Sequence, residues 1–184
     1  MPLTVPTLHD DLVRLRPPAL DDAAAIADAV QDPDIPRFTM VPSPYTVDDA
    51  VTYIERSAAS WHSGDAAPFV VVDAEDGRLL GSIGLHDLAE PVAHVGYWVA
   101  APARRRGVAT RALRLVARWA LADLARTRLE LFTFVENGRS QRVASHAGFT
   151  CEGIRTFVDH PTGRDELMVF SLSGVATPTT SPGR

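Results

Sequence analysis

The stretch from His94 to Asn137 constrains the fold more than any other. "HVGYWVAA" is an apolar, β-rich run with Gly96 inside it. "APARRRGVATRALRLVARWALA" is a turn that opens into a helix, and "RLELFTFVEN" is a second β-rich run. A strand, a long helix and another strand in succession predict a parallel crossover, since the helix carries the chain back to the end of the sheet where it began. Such units are right-handed almost without exception. Within the helix Ala109, Ala112, Leu113, Val116 and Ala120 share one side, and Arg111, Arg114 and Arg118 share another. One face is therefore built for a core and the other for water.

The flanking segments fill in the rest. "LVRLRPP" predicts a first strand and "LDDAAAIADAV" a short helix with acidic residues in its first turn, where they favour the dipole. "QDPDIPRFTMVPSPY" is proline-punctuated and predicts a loop, either a connector or a substrate wall. "TVDDAVTYIERSAASWHSG" predicts a helix capped by Thr46 with Asp49 three residues on. Its apolar face is expected to be Val47, Ala50, Val51, Ile54 and Ala58, and Gly64 ends it. "PFVVVDAEDGRLLGSIGLHDL" predicts a hairpin turning at "AEDG", and Gly96 in the next strand predicts a bulge or a close backbone approach. "GRSQRVASHAGF" is a short helix stopped by Gly148, and "CEGIRTFVDHPTGRDELMVFSLS" a last hairpin turning at "HPTG". The order β α α β β β α β α β β predicts one α/β (α+β) domain over residues 1–173. Its sheet is mixed and mostly antiparallel, with helices on both faces. The small, polar, proline-containing tail 174–184 is expected to be disordered.

Composition narrows the function classes. A net charge of −5 argues against nonspecific nucleic-acid binding, because local charge would have to overcome the global field. The start carries no signal peptide and no stretch spans a bilayer, so a cytoplasmic protein without a membrane partner is expected. The one cysteine, Cys151, excludes an intrachain disulfide and reads as a buried, inert thiol. The six histidines are scattered without metal-ligand spacing, so no metal is expected. No phosphate-binding P-loop signature is present.

Against this acidic background, Arg104, Arg105 and Arg106 crowd the turn before Gly107 and the helix start Val108, Ala109 and Thr110. A helix start offers unpaired amides and the positive end of the dipole. Gly107 permits a positive φ or close ligand approach, and Ala109 is too small to block it. The arginines add amides to a concave nest, with their side chains free to attract an anion from solvent. A diphosphate suits such a nest.

These residues carry a resemblance. Arg104-x-x-Gly107-x-Ala109 is similar to the R/Q-x-x-G-x-G/A signature of the GNAT superfamily of acetyl-CoA-dependent N-acetyltransferases. "VGYWVAAPARRRGVATRAL" resembles its RimJ/RimL-like branch, named for acetylation of ribosomal-protein N-termini. "VENGRSQRVASHAGFTCEG" is similar to that branch's second motif, N-x-x-S followed by a helix and G-F. The resemblance spans residues from about 12 to 172 and implies that a central parallel strand pair splays to hold acyl-CoA. It implies that backbone amides of Arg105 to Thr110 hold the pyrophosphate and that Tyr97, Trp98 and Val99 pair with the pantetheine arm. It also implies that Asn137 hydrogen-bonds that arm and that Ser140 lies near the sulfur.

The implied reaction is acyl transfer to a neutral amine. Lysine, with an ordinary pKa of about 10.4, must be deprotonated further than an α-amino group at about 7.7–8.0. Ser140 is expected to stabilise or protonate the departing thiolate, and a backbone amide near Val99 to steady the oxyanion. His94 opens the central strand where many relatives carry Glu; it is either the general base or an exposed, idle side chain. His86 and Asp87 end a strand toward the expected acceptor side and read as surface residues. The acceptor is a protein N-terminus or a small-molecule amine. A longer donor such as succinyl-CoA and a non-catalytic acyl-CoA-binding module remain alternatives, as do monomer and homodimer.

Overall fold

The structure, a computed structural model, describes residues 1–157, 163 and 165–174. The expected "HPTG" turn and the tail lie outside the described residues apart from Gly163 and Gly174. The strands are β1 (Leu8–His9), β2 (Val13–Arg16), β3 (Ala67–Asp73), β4 (Leu79–His86), β5 (Val92–Val99), β6 (Arg128–Phe134), β7 (Thr150–Thr156) and β8 (Glu166–Ser173). The helices are α1 (Ala23–Ala29), α2 (Asp34–Phe38), α3 (Val47–Ser63), α4 (Val108–Ala122) and α5 (Gly138–His146).

One eight-stranded sheet runs in the order β1-β2-β3-β4-β5-β6-β8-β7. Every pairing is antiparallel except β5 with β6, the two strands joined by α4. The alternation along β3 shows how the layers form. Phe69 and Val71 belong to the core that contains α4, whereas Val70 and Val72 belong to a second core with α1 and α3. Successive strand residues point to opposite faces, so the two helix sets cover opposite sides of the sheet. The larger core includes edge-on packing of Phe69 against Trp61 and Trp119, at centroid separations of 5.0 and 5.7 Å.

Local chemistry sets the helix ends. Thr46 caps α3 by accepting from the Asp49 amide at 3.2 Å, and Asp49 Oδ2 accepts from the Thr46 amide at 2.8 Å, closing the capping box. Gly64 ends α3 in the left-handed conformation at φ 87°.

Five expectations need correction. The proline-punctuated loop contains α2, because Pro33 and Asp34 suit a helix start and Ile35 finds a buried seat. A two-residue strand, β1, precedes the expected first strand; Asp10 Oδ1 turns the chain between them by accepting from the amides of Leu12 and Val13 at 2.9 Å. The buried side of α3 is Ala50, Ile54, Ser57 and Trp61, with Val47 exposed at its start. Gly96 makes no bulge: β4 and β5 pair without a break from Gly81–Val99 to His86–His94. Register shifts lie between β3 and β4 and between β7 and β8 instead, and the close approach is at Gly81, where a Cβ would stand 2.3 Å from the Trp98 carbonyl oxygen. Finally, Cys151 is exposed. It sits on β7, the outermost strand, because β8 inserts between β7 and β6 and leaves β7 uncovered on its far side.

Candidate active site

The parallel pairing of β5 and β6 extends only from Val92–Arg128 to His94–Glu130. From Val95 onward the two strands part. A cleft of about 1120 Å³ occupies the opening, lined by Val95–Val99 on one side and Leu131–Phe134 on the other. The turn before α4 and the first turn of α5 form its ends, and α2 and α3 wall the opposite face.

The turn before α4 has an alternating backbone. Arg105 takes φ 61° and Gly107 takes φ 83°. Gly107 is the N-cap of α4 and provides no side-chain cap, so the first helical amides find no acceptor there. Among the described residues, no backbone carbonyl accepts from the amides of Arg105, Arg106 or Gly107. The turn thus presents consecutive N–H groups around a positive dipole end.

The arginine side chains are less free than the sequence implies. Arg104 donates from Nε to the Val99 carbonyl at 3.1 Å and pairs with Asp32 at 2.7 Å and Asp34 at 3.5 Å. Hydrogen bonding from Arg104 holds the Asp32 carboxyl below its ordinary range. Asp34 also receives Arg139 of α5 at 2.9 Å, so α2 ties both ends of the cleft together. Arg106 reaches Asp73 at 3.4 Å. Arg105 is exposed and its side chain makes no hydrogen bond or ion pair among the described residues; of the three, it alone matches the expectation of a solvated cation. On the helix itself Arg111 pairs with Asp10 and Asp11, while Arg118 faces water.

Across the gap, the Tyr97 hydroxyl lies 2.8 Å from Ser140 Oγ. Burial pushes the Tyr97 phenol up to about 12, so it keeps its proton through neutral pH. Ser140 is in the first turn of α5, where the dipole favours negative charge. Asn137 is the N-cap of that helix: its Oδ1 accepts from the Ser140 amide at 3.1 Å, which leaves the side-chain N–H groups to donate elsewhere. Trp98 points the other way from Tyr97 and packs against the α1–α3 core. β6 contributes a residue the sequence did not single out. Thr133 Oγ1 is buried without a hydrogen-bond partner among the described residues, and Thr133 lines the cleft. An orphaned buried hydroxyl is costly unless a bound group satisfies it.

At the other end of the gap His94 is about one-third exposed. Its Nδ1 lies 2.7 Å from Asp87 Oδ2, and its Nε2 lies 3.8 Å from Glu130 Oε2. Glu130 is buried and receives Arg155 and Arg128, each at 2.8 Å. The Arg155 hydrogen bond is the main reason its carboxyl stays below the usual range, against the opposing effect of burial. Both His94 nitrogens therefore face carboxylates. His86, read from the sequence as a surface residue, is exposed but lines the cleft directly beside His94.

With the gap, the amide turn and the Tyr97–Ser140 pair in place, the comparisons with known proteins are decisive. Residues 13–150 match the model of the acetyltransferase (GNAT) domain. This chain belongs to the GNAT acetyltransferase family. It is 25% identical over 151 residues to an uncharacterized N-acetyltransferase, YoaA, of Bacillus subtilis, covering 81% of this chain and 85% of that one. Among solved structures it is similar to Mycobacterium smegmatis RimJ in complex with CoA-disulfide, with a TM-score of 0.78 and 25% identity over 94% of this chain and 88% of that chain. It also shares its fold with the microcin C7 self-immunity acetyltransferase MccE in complex with acetyl-CoA and AMP, at a TM-score of 0.76 and 21% identity, covering 89% and 93% of the two chains. A mixed sheet with a single parallel pair is thus the GNAT architecture in this chain.

Proposed function

We propose that this GNAT protein transfers an acetyl group from acetyl-CoA to a primary amine by direct attack. The observation that carries this reading is the unpaired length of β5 and β6, bounded by an amide-rich turn at one end and a Tyr97–Ser140 hydrogen bond within it. The complexes of RimJ with CoA-disulfide and MccE with acetyl-CoA support the donor. The residues fit it: the amides of Arg105–Thr110 receive the pyrophosphate, and the free edge of Tyr97–Val99 pairs with the pantetheine arm. Asn137 and Thr133 offer side-chain hydrogen bonds along the same channel. Arg104 shapes the turn through Val99 and Asp32 rather than reaching for the anion itself.

The chemistry is supported residue by residue. Tyr97 retains its proton and can donate to Ser140 Oγ, which orients the serine hydroxyl toward the sulfur that leaves. Ser140 gives that sulfur a hydrogen bond, and the α5 dipole favours the thiolate. Edge amides between Val95 and Val99 are available to the carbonyl oxygen as it gains charge. The acceptor enters from the side of α2 and α3, where His94 and His86 stand, and an imidazole there takes the amine proton. An α-amino group, with a pKa of about 7.7–8.0, asks about two orders of magnitude less of such a base than lysine at about 10.4. A protein N-terminus or an α-amino small molecule is therefore the favoured acceptor, and this proposal needs no resident metal.

The test is thiol release with acetyl-, propionyl- and succinyl-CoA against short peptides with free N-termini, free lysine, a polyamine and an aminoglycoside. Fastest turnover with acetyl-CoA and an α-amine is expected. Ser140→Ala should lower kcat about 10²-fold while the acetyl-CoA Kd stays within about twofold. Tight CoA binding without turnover for any amine would identify a binding module instead.

A further inference from the structure

We propose that His86 is the catalytic residue that accepts the amine proton, acting from a seat on a floor of paired glycines at the mouth of the β5–β6 gap. This rests on the acyl-transfer reading above.

The seat is a product of register. Gly84 on β4 pairs with Gly96 on β5, and His86 pairs with His94 one step further along the same face. With no side chains at 84 and 96, the sheet is bare there. The His86 ring folds back over it: a Cβ at Gly84 would lie 3.5 Å from His86 Nε2, and one at Gly96 would lie 3.7 Å from it. Nε2 therefore stands above both strands at once. Gly96 is two residues past His94, where the parallel ladder ends and the gap opens. The same face carries Trp98 and is walled by Tyr53 and Arg56 of α3, so the nitrogen looks into the acceptor side of the cleft.

His94 is differently placed. Its Nδ1 is engaged by Asp87 at 2.7 Å and its Nε2 faces the Glu130 carboxylate at 3.8 Å, so a carboxylate stands against each nitrogen, whereas His86 makes no ion pair among the described residues. The two histidines then divide the work: His94, held by Asp87 and packed against Phe132 at 5.0 Å between ring centroids, is a positioning residue opposite His86 in the ladder, and His86 meets the substrate.

The ionisation of His86 agrees with this. Desolvation by the cleft walls holds its pKa below the ordinary histidine value; the His94 charge acts in the same direction, and Asp87 opposes both. The other charged or titratable groups around the site are Glu130 with Arg155 on β6 and β7, and Asp49, Tyr53 and Arg56 on α3. The imidazole is neutral at pH 7 and can accept. In the step itself an N–C bond forms between amine and acetyl carbon and the C–S bond breaks. One N–H proton passes to His86 Nε2, which returns it to solvent through the open cleft, and the sulfur leaves as a thiolate hydrogen-bonded by Ser140 Oγ–H and takes its own proton from solvent.

The experiment is the pH dependence of kcat with acetyl-CoA and the fastest acceptor of the amine panel, both saturating, for wild type, His86→Gln, His94→Gln and Asp87→Asn. The wild type should lose activity on the acid side as His86 protonates. His86→Gln should lower kcat at pH 7.5 by about 10²-fold and abolish that acid limb, with acetyl-CoA Kd by calorimetry within about twofold of wild type. His94→Gln should keep the limb and move it to higher pH, and Asp87→Asn should move it to lower pH. Should His86→Gln misfold, NMR titration of the His86 ring in the wild type serves: its midpoint should coincide with the acid limb. A His86→Gln protein with wild-type kcat, an acid limb that survives in it, or a limb lost only in His94→Gln overturns the proposal. A wild type that binds no CoA or acetylates no amine fails the acyl-transfer reading itself.

Discussion

Thr133 shows how much one atom decides. Its hydroxyl is buried on the wall of the cleft and unpaired among the described residues, and an unsatisfied buried hydroxyl costs about 1–3 kcal/mol. If the pantetheine arm satisfies it, Thr133→Val has effects of opposite sign. The apoprotein should gain about 1 kcal/mol in urea denaturation, and the acetyl-CoA Kd should rise about five- to tenfold. A destabilised variant with unchanged affinity would assign Thr133 to packing alone. At this scale the sequence disclosed what short spacings carry. Gly107 before a helix and Thr46 with Asp49 are local, and each has the expected geometry; the Asn137–Ser140 cap is equally local but was not read from the sequence. Thr133 and His86 were not legible. Their roles depend on which residues lie opposite them across the sheet, and that register is set by strands far away in sequence. Cys151 misled for the same reason: its exposure follows from β8 inserting beside β6.

Among the elements, α2 carries the least sequence signal and makes the longest-range ties. Asp32, just before it, holds Arg104, seventy-two residues away, and Asp34 holds both Arg104 and Arg139. These contacts tie the turn before α4, the proposed coenzyme turn, to the carboxylates of a segment that reads as plain loop. Asp32→Asn should cost about 1–2 kcal/mol at pH 7 in urea titrations, since a charge-assisted pair is weakened at a partly buried site. The sign with pH is set by the lowered Asp32 pKa. Its contribution is complete above the unfolded carboxyl value near 3.9 and is lost as pH falls through the still lower folded value, so the difference between variant and wild type should shrink as pH falls below the ordinary carboxyl value. A gap that persists unchanged at acid pH would mean that the carboxylate charge is not what Asp32 provides. α4 was fully legible and β5 nearly so, apart from its start at Val92 and the bulge expected at Gly96, because the hydrophobic period changes from two to 3.6 within a few residues of the Arg104–Gly107 turn.

For the whole molecule, the division of labour follows from one topological fact. A sheet that is antiparallel on both sides of a single parallel pair opens at that pair. The opening puts α4 and α5, with their N-terminal dipoles, on one face of the gap, and α2 and α3 on the other. On the proposed reading, donor chemistry collects on the helix-dipole side, at the Arg105–Thr110 amides and Ser140, and acceptor chemistry on the opposite side, at His86 and His94. Membership of the GNAT family and this geometry agree, and both were foreshadowed by the strand–helix–strand unit with its glycine turn. The central claim is that the free amides along β5 and the turn before α4 are the coenzyme's binding surface. Amide hydrogen exchange with and without saturating acetyl-CoA tests it most directly. The account predicts slowed exchange over residues 95–110, strongest from Arg105 to Thr110. Tight acetyl-CoA binding with no protection in that segment, or protection confined to another part of the sheet, would contradict it.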